Sequence, residues 1–166
     1  YILGVGISTE GMVDYDKGEL IFSARFDWRD VPINKYIEKE LGLRTFVETE
    51  GRAMLLGEHW YGAGKGARDI VGMDIDAGIG AMEISDSRIR RGMHGMAGEM
   101  GHTVILPDGP ECRCGKRGCL EAVASASAIL SRIRHGLNEG RDSVITSDLI
   151  NSPSTQMAIR AVFDAV

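Results

Sequence analysis

The 166-residue sequence has no apolar run near the roughly 18 residues that a membrane span needs, and no signal-peptide pattern at Tyr1. Positive charge is also in short supply. Nineteen Lys and Arg face 24 Asp and Glu, a formal net charge of -5, which disfavours a phosphate-gripping surface because non-specific nucleic-acid affinity comes mainly from Lys and Arg. Repeats and low-complexity segments are missing. The cysteines number only three, so they cannot close a paired disulfide framework, and an odd count suits a reducing compartment. A cytoplasmic protein with no membrane partner is the expectation. At 43% apolar and 26% charged, the chain can bury a good core, as one domain or two lobes.

What the sequence does contain is concentrated between His102 and Glu121. His102 is followed after nine residues by Cys112, after one more by Cys114 and after four more by Cys119. Three thiolates and one imidazole make a closed tetrahedral zinc inventory, and soft ligands without a carboxylate fit zinc or iron better than magnesium or calcium. Pro107, Gly109, Pro110, Gly115 and Gly118 allow the tight reversals that four convergent side chains require. The alternative is a disulfide plus a spare thiol, although Cys112 and Cys114 are too close for an easy bridge. Arg113, Lys116 and Arg117 cluster on this knuckle and are expected to be solvated loop charges.

Along the chain, a buried strand is expected at Ile2 to Ser8 and a second near Leu20 to Phe26. Asn34 is placed to cap a helix running to Leu41, with Gly42 as its stop. Leu43 to Glu48 reads as a strand, and Gly51 to Trp60 as a helix with Ala53, Leu56 and Trp60 on its apolar stripe. Strands follow at Ile70 to Ile75 and Gly80 to Ile84, with a hairpin loop at Ser85 to Ser87 and a further strand at His102 to Leu106. One long helix is expected from Leu120 to about Leu137, its apolar face formed by Val123, Leu130, Ile133 and Leu137. The opening YILGVGI and the closing helical run QMAIRAVFDAV both read as cut from a longer chain. Core packing is the expected role of Trp28 and Trp60, with stacking on a sugar face the alternative. Strands mixed with helices argue for an α/β protein of two lobes.

Three elements in order carry a family resemblance: GVGIS with a following VD at Gly4 to Asp14, GExGH at Gly98 to His102, and CxCGxxGCxE at Cys112 to Glu121. Together they resemble the ROK family of bacterial sugar-responsive repressors and sugar kinases, over nearly the whole chain. The resemblance implies an actin-like ATPase (ribonuclease H-like) two-lobed α/β fold, present as a partial fragment. Residues 1–49 would close the first lobe, and residues 50–166 would begin the second with the zinc knuckle at 102–121. It further implies sugar contacts from Glu99, His102 and Glu121, with His102 also a zinc ligand beside Cys112, Cys114 and Cys119. Glu99 and His102 lie three apart, so on a helical turn both side chains leave one face.

Departures from the family pattern bear on catalysis. The kinases resemble NDAN where this chain has Thr49, Glu50, Gly51 and Arg52. The aspartate there is the general base, so Glu50 is the catalytic candidate if the protein is a kinase, and a sugar contact otherwise. Its extra methylene displaces the carboxylate by about an ångström, a misplacement that can cost about a hundredfold. The kinases' phosphate loop resembles GTGIGGG, whereas residues 76–82 read DAGIGAM, leaving Gly78 and Gly80 as weak nucleotide candidates. Asp76 would repel nucleotide phosphates by on the order of 4 kcal/mol at 4 Å for an effective dielectric of about 20, and glycine count alone favours a plain tight turn. Glu10 replaces the family's proline. These losses direct the expectation to the repressor branch: a sugar or amino sugar as effector, zinc as the metal, and DNA contacted through a domain outside this chain. A homo-oligomer is also expected. The alternative is a sugar kinase of glucokinase or N-acetylhexosamine kinase type, using ATP and magnesium.

Overall fold

The computed structural model describes residues 1–23 and 25–165, a mixed α/β chain that divides into two compact units. Ala24, inside the expected second strand, and Val166, at the end of the closing helical run, lie outside the described residues. One unit comprises Tyr1–Gly72 and Met82–Gly98, the other Met73–Ala81 and Glu99–Val166.

In the first unit, β1 (Val5–Thr9) runs parallel to β5 (Thr45–Thr49), in register from Val5 opposite Thr45 to Thr9 opposite Thr49. Between them lie an antiparallel meander, β2 (Met12–Asp14), β3 (Glu19–Ser23) and β4 (Trp28–Val31), and the helix α1 (Ile33–Leu41). β2 and β4 were not legible as strands, being three and four residues long with Asp at an end or in the middle. Val13, Leu20 and Val47 form the unit's core, with Val31 and Ile33 packed against it. Ile2 and Leu3, expected within the first strand, are exposed ahead of it.

The start of α1 differs from expectation. Pro32, not Asn34, occupies the N-cap, since the proline ring pre-sets the backbone for helix entry. Asn34 is already inside the helix, its N–H donating to Gly18 O at 3.1 Å. The stop is as expected: Gly42 takes a left-handed φ of 66°.

The next helix, α2 (Glu50–Tyr61), buries Arg52 and Leu55 rather than the stripe read from Ala53, Leu56 and Trp60. The buried face is shifted because Arg52 finds polar partners inside, described below. Trp60 is 56% exposed and Trp28 is 49% exposed, so neither is a core residue. Trp28 rests instead against Phe26, ring centroids 5.4 Å apart, and Trp60 against Tyr61 at 6.2 Å.

β6 (Ile70–Ile75), β7 (Ile79–Ser85) and β8 (Arg88–Ile89) form a sheet in that order, contributing residues to both units. Asp86 and Ser87 turn the β7–β8 hairpin with left-handed backbones.

The second unit holds two further corrections. His102 to Leu106 is no strand: Met100–His102 form a short 3-10 turn, and only an isolated bridge, Val104 to Cys119, follows. Ile105 and Leu106 both donate their N–H to Gly118 O, folding the apolar run over the knuckle rather than into a sheet. The single long helix is split into α3 (Leu120–Ala124) and α4 (Ala126–Asn138). Ser125 breaks it, extended at φ -66° and ψ 161°, with its Oγ accepting from Ala128 N–H at 3.2 Å as the cap of α4. Leu130 of α4 packs with Ile150 of α5 (Ser147–Ile150) and with Ala158 and Val162 of α6 (Thr155–Asp164), forming this unit's core. Among the described residues, no helix is long and apolar enough to cross a membrane.

Candidate metal and sugar site

The knuckle is a chain reversal closed by its own backbone. Cys112 N–H donates to Lys116 O at 2.8 Å, Gly115 N–H to Cys112 O at 2.9 Å and Gly118 N–H to Pro110 O at 2.8 Å. Gly118, at φ 67°, passes so close to the Leu106 carbonyl that a Cβ there would collide with it. Only glycine meets both conditions.

This reversal gathers His102, Cys112, Cys114 and Cys119, whose ligand atoms all lie within 4.8 Å of one another. His102 Nδ1 is 3.5 Å from the Cys112 sulfur, and the sulfurs of Cys114 and Cys119 are 3.7 Å apart. A tetrahedral ion with bonds of about 2.0–2.3 Å sets its ligand atoms roughly 3.5–3.8 Å apart, so the donor set fits zinc in both chemistry and spacing. Burial pushes the Cys119 thiol up to about 11, while the backbone N–H of Lys116 holds the Cys114 thiol below the usual value. Without a cation, then, the proton stays on the buried sulfur and a metal must displace it.

Glu99 precedes the 3-10 turn and His102 ends it. Glu99 Oε2 lies 3.8 Å from His102 Nε2, the ring nitrogen turned away from the sulfurs. The two side chains therefore share a face, as their spacing implies. Glu121 stands in the first turn of α3, its side chain only 12% exposed. Its Oε2 accepts from Ile79 N–H at 3.1 Å, and its Oε1 accepts from Arg113 Nη2 at 3.2 Å.

The knuckle's three basic residues are all engaged locally: Arg113 with Glu121, Lys116 with His102 O at 3.3 Å and Arg117 with Glu111 at 2.7 Å. They behave as solvated loop charges holding the reversal together.

Residues 76–78 form the tight turn joining β6 to β7, Asp76 N–H donating to Gly78 O at 2.9 Å. Asp76 O accepts from Ala126 N–H at 2.9 Å, and its carboxylate accepts from Gln156 Nε2 at 3.0 Å. A Cβ on Gly78 would meet Glu121 Oε2 at 2.5 Å, so that glycine clears space for the carboxylate. Gly80 has open space where its Cβ would be.

In the other unit, Glu50 is the exposed first residue of α2. Glu10, the acid in place of proline, accepts from the Ser23 hydroxyl at 2.9 Å. Sequence reasoning missed the cluster of buried Glu48 and Arg52 with half-buried Arg91. Arg52 and Arg91 approach the Glu48 carboxylate at 3.3 and 2.7 Å. Its one signal was the Glu48/Arg52 spacing of four residues.

Relatives carry two kinds of name. The chain is 40% identical to a glucokinase of Thermotoga maritima over 97% of its length and 50% of that protein. It is 32% identical to a xylose repressor of Caldicellulosiruptor bescii over 96% of its length and 40% of that protein. It resembles a solved ROK family transcriptional regulator, described as a homologue of the E. coli MLC protein, with a TM-score of 0.77, 27% identity, and coverage of 98% of this chain and 43% of that one. The chain thus spans about half or less of the length of these relatives. A model of the ROK family matches residues 1–164, and the chain belongs to that family.

Proposed function

We propose that this chain is the sugar-recognising part of a ROK-type transcriptional regulator, with an actin-like two-lobed fold in the complete protein. Residues 1–49 would end the first lobe and residues 50–166 begin the second. The observation that carries the reading is an asymmetry between two sites. The sugar and metal elements keep a coherent geometry, with Glu99 beside His102 and His102 beside three thiols. The turn at residues 76–78, which by the family resemblance would meet a nucleotide's phosphates, instead carries Asp76, whose carbonyl and carboxylate are already bonded.

His102, Cys112, Cys114 and Cys119 would hold zinc. When bound, the ion supplies a fixed anchor for one imidazole nitrogen. Glu99, His102 Nε2 and Glu121 then offer acceptors and a donor to sugar hydroxyls. The name of the xylose repressor supports a sugar effector and a DNA partner, the latter reached through a domain outside this sequence. Linkage limits the response: the sugar can change operator affinity only as far as it prefers one arrangement of the protein, typically by about 1–3 kcal/mol. A cytoplasmic homo-oligomer is part of the proposal.

A kinase is the second reading, favoured by the 40% identity to a glucokinase. Glu50 would then be the base, with ATP and magnesium as cofactors. Two measurements on the complete protein separate the readings: sugar phosphorylation in a coupled ATP assay, and operator binding with and without sugar. The regulator reading expects no turnover and a sugar-dependent shift in DNA affinity. Turnover abolished by Glu50→Gln would replace it with the kinase.

A further inference from the structure

Arg52 is 4% exposed yet carries a charge, and among the described residues its hydrogen-bond partners lie within the first unit. Its Nη1 donates to Glu48 Oε1 at 3.3 Å, and its Nη2 donates to the carbonyls of Gly95 at 2.5 Å and Ala97 at 3.3 Å. Glu48 is itself buried and also accepts from Thr49 N–H at 2.9 Å and Arg91 Nε at 2.7 Å. A guanidinium is costly to take out of water and persists there only when well paired. Its rigid fork is what lets one side chain hold a carboxylate and two carbonyls together.

The carbonyls it holds belong to a segment with little other support. Residues 92–98 read GMHGMAG, and Gly92, Gly95 and Gly98 all have positive φ. The backbone bonds that close this loop are Ala97 N–H to Arg91 O at 3.0 Å and a long Gly95 N–H to Gly92 O at 3.5 Å. Met93 and Met96 are exposed, so apolar packing adds little. The loop runs directly into Glu99, while Arg52 follows Glu50 by two residues on α2.

We propose that Arg52 is a positioning residue of the sugar site, tying the 92–97 loop to the first turn of α2 and so fixing the backbone that leads into Glu99. The sugar part of this inference rests on the reading proposed above; the tie between Arg52 and the loop does not.

The test uses the full-length protein and Arg52→Lys, which keeps a charge beside Glu48 but has no fork to span both carbonyls. Amide exchange in residues 92–98 is expected to accelerate about tenfold while β5 keeps its protection. Bound zinc should stay constant, and affinity for glucose or xylose, whichever the wild type binds, should fall about tenfold. Arg91→Gln is the control, because it weakens the pairing of Glu48 and leaves the bonds to Gly95 and Ala97 in place; loop exchange should change little. If the lysine variant does not fold, Glu48→Gln/Arg52→Gln removes both buried charges together and serves in its place. Unchanged loop exchange overturns the proposal. So does accelerated exchange with unchanged sugar affinity in a protein that binds sugar. Should the wild type bind neither sugar, the sugar reading fails, and exchange in residues 92–98 alone upholds or overturns the tie.

Discussion

The Cys119 sulfur is completely buried and lies 3.7 Å from the sulfur of Cys114, an exposed residue. One thiol of the pair is locked into the fold, and the other is delivered by a surface turn. With His102 and Cys112 they make a donor set suited to zinc. The purified protein is therefore expected to carry about one zinc per chain by elemental analysis. Cys119→Ser should lose the metal and lower thermal stability, and a strong chelator should reproduce that loss in the wild type, because site formation and folding share one free energy. A protein that retains its melting temperature after complete metal removal would contradict this.

Much of this site was legible in the sequence because its signal is local. Cysteine spacing and intervening glycines and prolines mark a reversal that gathers four metal-type donors over eighteen residues, whatever surrounds them. The residues that resisted reading depend on distant partners. The run His102 to Leu106 looks like a strand by apolarity, yet the N–H groups of Ile105 and Leu106 both go to Gly118 O, which no pattern within the run reveals. Ser125 looked like one more residue of a continuous helix. Its carbonyl-facing neighbour decides otherwise, since Ala126 N–H donates to Asp76 O, fifty residues earlier in the chain. Arg52 likewise gives no sign in the local sequence that it will be buried, because Gly95 and Ala97, which accept from it, lie more than forty residues away.

Replacing Ser125 tests the helix break directly. Ser125→Ala removes the side-chain acceptor for Ala128 N–H at the start of α4, and the loss of an N-cap typically costs about 1 kcal/mol. Urea unfolding should show a destabilisation of that size with zinc content unchanged.

The core of the first unit gives a larger effect. Leu20 is fully buried against Val13 and Val47. Leu20→Ala should cost about 2–5 kcal/mol, transfer and cavity terms together, in the same urea experiment.

Two glycines in the knuckle separate backbone strain from collision. Gly115 and Gly118 both have positive φ, 87° and 67°, but a Cβ on Gly115 meets nothing within 4 Å while one on Gly118 runs into the Leu106 carbonyl. Gly115→Ala should cost only the left-handed penalty of about 1–2 kcal/mol and keep its zinc. Gly118→Ala must also displace the carbonyl, and with it the 104–106 segment that covers the knuckle, so it should lose metal as well as stability. Equal metal retention in the two variants would show that the approach to Leu106 is not what shapes the site.

Glu121 offers the sharpest distinction between holding the fold and meeting a ligand. One carboxylate oxygen takes the Ile79 N–H and the other takes Arg113. Glu121→Gln is isosteric, and its amide oxygen can still accept from Ile79, so folding and zinc content should be close to wild type. Arg113 is largely exposed, and the loss of its ion pair should cost about 0–1 kcal/mol. Glu121→Ala strands the Ile79 N–H and should cost about 1–3 kcal/mol. If the carboxylate serves the sugar, both variants lose sugar affinity, although only the alanine loses stability. A glutamine variant that binds sugar as well as the wild type would confine Glu121 to bracing the β6–β7 turn against α3.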